Sequence, residues 1–470
     1  GLGGADVVTI NQARDRALEY RRMAKAGLNP RFNAKRDIPS FEEFAKQVHI
    51  DRMPTWKNAK HGQQWINTLR DYAFPKIGRM PIDSIDQPEV MMPWIPNDLV
   101  NWFTGKYLLQ GRAVEMKGPL IQFFSDVGLI VAMVGAIAWA WSHLSPGWAL
   151  LAGYYPTLIL VGSLRKMQTL YGHEGSPGHD NFFPRGHWLR GSEMRIFGMS
   201  LNDFFAALAT SLALSQNEED YGKDHGEHHA LETFGTLKDA DARAIFDWGF
   251  RPGMSVGALW LRFWWTMASP GFHMRMLVAR AKSNWHAANL VRRIMALFVA
   301  SVLASLALVM PVEAWLAAVL MPWSLLFHIS GLVQVLNRHA WLETSDGYNS
   351  VETYAEAMVG RFNGISLPER DLKGLAKFRA WSFWWTEVLL LELPIRLFSW
   401  SPDLQAHDFH HLEFHGPEPF VDDWTTMPQR RQEAINKGRD PYGMQNRELW
   451  GWRSAMKNSL KRLNQAQDVA

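Results

Sequence analysis

The stretch PLIQFFSDVGLIVAMVGAIAWAWSHL, Pro119–Leu144, decides the fold. Its only ionisable residues are Asp126 and, near its end, His143. About twenty apolar residues in a helix cross a hydrocarbon core of roughly 30 Å, so the stretch reads as a membrane span. A Ser–Pro–Gly turn leads into a second span, GWALLAGYYPTLILVGSL (Gly147–Leu164). Further on, IMALFVASVLASLALVM (Ile294–Met310) and EAWLAAVLMPWSLLFHISGLVQVL (Glu313–Leu336) form another pair, joined at Pro311. Each pair is expected to be a helical hairpin.

The flanking charges orient the hairpins. Arg112 and Lys117 precede the first span, and Arg165 and Lys166 follow the second. Arg280, Lys282, Arg292 and Arg293 precede the third, and Arg338 follows the fourth. The hairpin tips carry no Lys or Arg. Cytoplasmic loops hold the excess of Lys and Arg, so both termini and the long loops are expected in the cytoplasm. Stretches 201–216, 256–272 and 381–400 are rich in Trp or Phe with scattered charges, and read as amphipathic helices at the membrane surface.

Composition fits a membrane protein. The chain has 23 Trp in 470 residues, and interfacial belts concentrate Trp. Its mean hydropathy of −0.18 averages a polar N-terminal part with an apolar middle. There is no Cys, which excludes disulfides, thiolate zinc sites and iron–sulfur clusters held by this chain. A bound metal must therefore use His, Asp, Glu or water. The net charge of +3 does not point to nucleic acid. Residues 1–30 contain no apolar signal core, and a start at Gly1 suggests a trimmed N-terminus.

Residues 1–92 read as a small soluble helical domain. VVTINQARDRALEYRRMAKAGLNP has a candidate N-cap at Thr9 or Asn11 and a Gly–Leu–Asn–Pro stop. PSFEEFAKQV opens a second helix, with Ser40 and Glu43 at capping-box spacing. A third helical pattern, NAKHGQQWINTLRDYAFP, stops at Pro75.

The strongest chemical signal is histidine. HGEHH supplies His225, His228 and His229 between spans two and three. HDFHH repeats the spacing with His407, His410 and His411 after the last amphipathic stretch. His173 and His179 follow span two, and His339 follows span four. The orientation argument puts all nine on one side. Residues at i, i+3 and i+4 share a helix face, so each triplet aims its imidazoles one way. Neutral imidazole suits iron, zinc, copper and nickel. Two triplets with further histidines exceed the needs of one tetrahedral zinc and suit two metal ions held close together. Glu174, Asp224, Glu227, Asp408 and Glu413 are nearby acids that can orient ligand imidazoles. Solvated surface histidines, or a pH-sensing cluster, are the plainer alternative.

These residues resemble the membrane fatty acid desaturase superfamily, which includes hydroxylases and ketolases. HGEHH and HDFHH match its second and third histidine boxes, TLKDAD looks like the Asp-x-Asp that follows the second, and LNRHAW resembles the segment that supplies His339. The resemblance covers about residues 93–430. It implies a ligand set of His173, His179, His225, His228, His229, His339, His407, His410 and His411. It also implies two iron ions, O2 as co-substrate and oxidation of an unactivated C–H bond in a lipid chain. Desaturation is the expected outcome, with hydroxylation or ketone formation on the same scaffold as the alternative. No cytochrome b5 haem motif is fused to the chain, so the electron donor is expected to be a separate ferredoxin, rubredoxin or cytochrome.

Box one departs from the pattern. HEGSPGH puts five residues between His173 and His179, a rotation of about 240° on an ideal helix. A loop through Gly175–Gly178 is expected to return His179 to the site; otherwise His187 replaces one ligand, or the metal site differs. His328 lies inside span four as a functional or a packing residue. His415 reads as a neighbour of box three or a surface residue. His143 sits at a hairpin tip, and His49, His61, His273 and His286 have no partner pattern.

Residues 1–92 resemble a different family. WKNAKHGQQWINTLRDYAFPKIGRMPIDSIDQPEVM looks like the core-binding domain of a tyrosine recombinase, or phage integrase. The resemblance implies phosphate contacts from Lys57, Lys60, His61 and Arg70. The Arg…His-x-x-Arg…Tyr catalytic series does not follow, so a fusion relic is expected, and nucleic acid is not expected as a partner of the intact chain. The reading is an all-α polytopic membrane protein: residues 1–92 as a recombinase-like segment, and 93–470 as a desaturase-like domain. That domain holds four transmembrane helices in two hairpins under a cytoplasmic histidine-rich cap.

Overall fold

A computed structural model describes residues 14, 17, 18, 21, 39–53, 59–74, 78, 97–107, 119–173, 175, 182–183, 187–189, 194–286, 289–341, 347–369, 372–400, 405–413, 427–440 and 442–465. The chain forms two compact units. One comprises Gly1–Val114, Gly416–Glu418 and Pro428–Arg447; the other comprises Glu115–His415, Pro419–Met427 and Glu448–Ala470. Compactness thus assigns residues 93–114, and two later pieces, to the first unit.

In the first unit, α1 (Phe41–Arg52) begins at the capping box read from the sequence. The Glu43 N–H donates to Ser40 Oγ at 3.3 Å, and the Ser40 N–H donates to Glu43 Oε2 at 2.9 Å. Two backbone donors at the helix start are thereby satisfied. Helix α2 (Ala59–Thr68) runs on into a π turn, Leu69–Ala73. His49 Nε2 lies 3.0 Å from Gly62 O, and its ring stacks on Trp65, which ties α1 to α2. Helix α3 is Asn97–Thr104. The candidate caps Thr9 and Asn11 lie outside the described residues.

The second unit holds four helices long and apolar enough to cross a membrane. Helix α4 is Pro119–His143, and α5 is Pro146–Lys166 with a π turn, Met167–Gly172, at its end. A two-strand ribbon, β1 (Arg195–Ile196) with β2 (Met199–Ser200), precedes α6 (Leu201–Leu212). Next come α7 (Glu218–His229), α8 (Ala240–Asp247), α9 (Val256–Ala268) and α10 (Pro270–Trp285). The second apolar pair is α11 (Leu290–Ser305) and α12 (Val312–Arg338), the latter containing π turns at Leu316–Leu320 and Pro322–Leu326. Then follow α13 (Val351–Ala357), β3 (Gly360–Phe362), α14 (Gly374–Glu387) and α15 (His407–Glu413). Between α14 and α15, a π turn (Val388–Glu392) and a short helix (Leu393–Phe398) continue the rod. Strand β4 (Glu448–Trp450) pairs parallel with β3, and α16 (Trp452–Gln465) closes the unit.

The long helices present apolar side chains outward: Ile121 is 75% and Leu308 87% exposed. Water penalises such a surface, whereas lipid does not. Between apolar helices in lipid, close packing and hydrogen bonds hold the bundle. Asp126 in α4 supplies such bonds. Tyr171 Oη donates to its Oδ2 at 2.6 Å, and Lys166 Nζ lies 3.1 Å from its Oδ1. Asp126 therefore joins α4 to the end of α5. Gly162 allows a close crossing in α5, since a Cβ there would lie 1.8 Å from Leu397 O.

Two sequence expectations change. The second span extends past Leu164 to Gly172, because the π turn continues the helix. Helix α6 is packed in the core rather than laid on a surface. Its small residues Ala206, Ala207, Ala209, Thr210 and Ser211 are buried, and they let the end of α5 approach: a Cβ on Gly172 would meet Thr210 Cγ2 at 2.6 Å. Helix α9 buries Phe263 and exposes Leu261 and Trp265, so its outward side is apolar as well.

Candidate metal centre

Four segments of the second unit bring eight histidines together, all buried. His173 caps the π turn after α5, and His339 is the C-cap of α12. Helix α7 carries His225, His228 and His229 in its last turns, and α15 carries His407, His410 and His411.

The eight form two quartets. One is His173, His225, His229 and His410; the other is His228, His339, His407 and His411. Within each, one ring nitrogen per residue lies within 4.8 Å of the others. In the first, His225 Nε2 is 2.6 Å from His173 Nε2, 2.7 Å from His229 Nε2 and 3.4 Å from His410 Nε2. In the second, His339 Nε2 is 3.1 Å from His228 Nε2 and 3.2 Å from His407 Nε2, and His407 Nε2 is 3.0 Å from His411 Nε2. Each triplet is divided two to one. Residues four apart in α7 and in α15 share a quartet, and the middle histidine crosses to the other.

The outer ring nitrogens of His228 and His411 explain how these two imidazoles are turned. His228 Nδ1 lies 3.1 and 3.0 Å from the two oxygens of Asp239. A carboxylate accepts, so Nδ1 carries the proton and Nε2 presents a lone pair. Asp239 is itself fixed as the N-cap of α8, accepting from Gly235 N at 3.0 Å and Asp241 N at 2.9 Å. Burial raises its carboxyl, but His228 and these N–H groups more than reverse that and leave it below the ordinary carboxylate value. His411 Nδ1 lies 2.5 Å from Tyr354 Oη, whose hydroxyl has the His229 carbonyl at 3.5 Å as its own acceptor. A proton on His411 Nδ1 is therefore accommodated, and its Nε2 also turns a lone pair inward. Burial, above all, holds Tyr354 protonated by raising its pKa well above the ordinary phenol value.

This donor set fits cations. Ligands about 2.0–2.1 Å from a tetrahedral ion lie roughly 3.3 Å apart, and the observed Nε2 separations bracket that value. Burial first, then neighbouring positive groups, push His339, His407 and His411 well below the usual imidazole range. They are thus neutral, the form that binds metal. The backbone around His339 is also fixed. Ser459 Oγ donates to His339 O at 3.3 Å, the Ala340 N–H donates to Ala357 O at 3.1 Å, and the Arg361 guanidinium donates to Arg338 O. Arg338 in turn pairs with Asp241 at 2.8 Å.

Of the nine histidines picked from the sequence, His179 lies outside the described residues, as do Glu174 and His415. His187 enters neither quartet: its Nδ1 accepts from Leu189 N at 3.2 Å, and its ring packs on Phe183. Asp224 accepts from Gln216 at 2.7 Å, and the Asp408 carboxylate accepts from Phe409 N at 2.8 Å. Tyr354 had no sequence signal, while Asp239 and Asp241 stand in the TLKDAD run. His328 and His273 form a buried pair, Nδ1 to Nδ1 at 3.3 Å, away from the quartets. His143 is exposed at the tip of α4, where it meets Trp139 O at 2.9 Å, and His286 is exposed.

Residues 41–95 match the family model of the phage integrase central domain. No curated protein and no solved structure matches the chain. The integrase-like segment belongs to the first unit, and the quartets belong to the second. Of its candidate phosphate contacts, Lys57 lies outside the described residues, and Lys60 and His61 belong to α2. Arg70 is exposed and pairs with Asp71 at 3.1 Å.

Proposed function

We propose that the chain is a membrane di-iron oxidoreductase that uses O2 to desaturate a fatty acyl or related lipid chain. The observation that carries this reading is the pair of buried histidine quartets beside helices able to cross a membrane. The resemblance at HGEHH and HDFHH favours iron over other metals. Bound irons would supply the O2-dependent oxidation of a C–H bond. The chain's own part is to hold neutral imidazoles in place, fix their tautomers through Asp239 and Tyr354, and exclude water by burial. His173 follows α5 and His339 follows α12, so both hairpins end on the quartet side. With Arg165, Lys166 and Arg338 at those ends, that side is the cytoplasm. A soluble ferredoxin, rubredoxin or cytochrome can reach it there as electron donor. Lipid hydroxylation or ketone formation remains the alternative outcome on the same centre.

The test is the metal content of detergent-purified protein, beside a His407/His410/His411→Ala variant. About two irons per chain, lost in the variant, are expected, since each quartet loses ligands. Lipid product analysis of the active protein then separates a new double bond from an added oxygen. Correctly inserted wild type that takes up no iron on reconstitution overturns the reading.

The integrase match favours a second reading for residues 41–95 alone: a DNA-contacting remnant without recombinase chemistry. Salt-dependent retention of duplex DNA by the full chain, weakened by Lys57→Ala and Arg70→Ala, would support it. Absence of retention at low salt would leave the segment a relic.

A further inference from the structure

A cavity of about 310 Å³ lies where α10 faces α11, far enough along α11 to fall within a candidate span. Its volume is in the range of ligand sites, about 300–1,000 Å³. Leu277 and Leu297 contribute to an apolar wall, and Trp285, largely exposed, stands beside it. Three polar residues also line it: Arg280, Asn284 and Arg293.

Arg280 is buried, yet its partners are all neutral. Its Nε donates to Leu214 O at 2.9 Å, Nη2 to Ala213 O at 2.7 Å, and Nη1 to Trp323 O at 2.7 Å and His328 Nε2 at 3.1 Å. Its guanidinium lies 4.4 Å from the Phe327 ring centroid. Among the described residues no carboxylate pairs with it. Burial, then repulsion from Arg165, brings its pKa down to about 9, which leaves it charged at neutral pH. A buried charge without a counter-charge is costly.

Asn284 fixes the backbone beside Arg280: its Nδ2 faces three carbonyls, Leu214 O at 3.3 Å, Ser215 O at 2.8 Å and Arg280 O at 2.8 Å.

We propose that this cavity binds an anionic phospholipid. The acyl chain lies on the apolar wall, and the phosphate faces Arg280 and Arg293. Free phosphate matches the cations but not the wall. Phosphatidylcholine matches the wall but carries no net negative charge. Basic pockets between membrane helices bind anionic head groups in this way. The site stands apart from the metal centre and does not depend on it.

The test is native mass spectrometry of the full chain in detergent, titrated with dioleoyl phosphatidylglycerol, dioleoyl phosphatidylcholine or inorganic phosphate. Phosphatidylglycerol is expected to bind at least about tenfold more tightly than phosphatidylcholine. Arg293→Gln weakens it about tenfold, the scale of one charge-assisted hydrogen bond. Leu297→Trp blocks the cavity without touching the buried polar groups. Equal binding of the two lipids by wild type overturns the proposal, as does undiminished phosphatidylglycerol binding in Leu297→Trp. Displacement of the lipid by millimolar phosphate would show an anion site rather than a lipid site.

Discussion

Asp239 holds His228 Nδ1 with both carboxylate oxygens, at 3.1 and 3.0 Å, while its own position is set as the N-cap of α8. A residue with two local tasks can be dissected by a substitution that preserves one of them.

Asp239→Asn keeps a good helix cap and removes the charge behind His228. The expected result is a stable protein whose second quartet binds metal about 10–100-fold more weakly. Competition with a chelator of known affinity measures this. Unchanged metal affinity would show that the carboxylate serves only the cap.

His339 and His187 make a matched contrast. His339 is fully buried among the second quartet, and His187 belongs to neither. His339→Ala is expected to lose about one metal per chain, as a quartet falls to three ligands. His187→Ala is expected to retain both. Elemental analysis of the two variants decides; metal loss in His187→Ala would return that residue to the centre.

Glu392 predicts a pH dependence outside the metal centre. Burial raises its carboxyl to about 6, against opposing hydrogen bonds from the Trp452 and Gly364 N–H groups and Asn363. An unfolded Glu titrates near 4.3, so the folded chain holds this proton more tightly. Stability from this group is greatest below about pH 4.3 and falls as pH rises to about 6, by roughly 2 kcal/mol. Glu392→Gln should flatten the melting profile across that window. A variant that keeps the wild-type slope would assign the effect elsewhere.

Gly162 tests the crossing of α5 with the segment after α14. A Cβ would press on the Leu397 backbone at 1.8 Å from its oxygen and 3.0 Å from its carbon. Gly162→Ala is expected to destabilise by about 1–3 kcal/mol or more, seen as a lower melting temperature in detergent. Gly147→Ala, with open space around its Cβ position, is the control and should melt like wild type.

The spans and the histidine triplets were legible because each is a local pattern: an apolar run of sufficient length, and imidazoles at helical spacing. The division of the triplets was not. HGEHH reads as three rings on one face, yet His228 and His229 point about 100° apart on a helix. That angle is enough to send them to different quartets once α15 packs opposite. Tyr354 was invisible because its partner, His411, is distant in sequence. Helix α6 was misplaced at the surface because its Phe residues suggest a surface stripe, while its buried side is a row of small residues that only the approach of Gly172 explains. The π turn before His173 has no local signature, so the second span was expected to stop too early.

Both quartets draw on α15, which supplies His410 to one and His407 and His411 to the other. Neither can therefore be assembled stepwise as the polypeptide leaves the ribosome. Three of the four ligands of the first quartet, and two of the second, emerge and wait while the chain up to α15 is still being made. All four candidate spans are synthesised before the closing histidines exist. On the proposed reading, metal loading would follow membrane insertion, and a nascent chain halted before α15 would lack His410 in one quartet and His407 and His411 in the other.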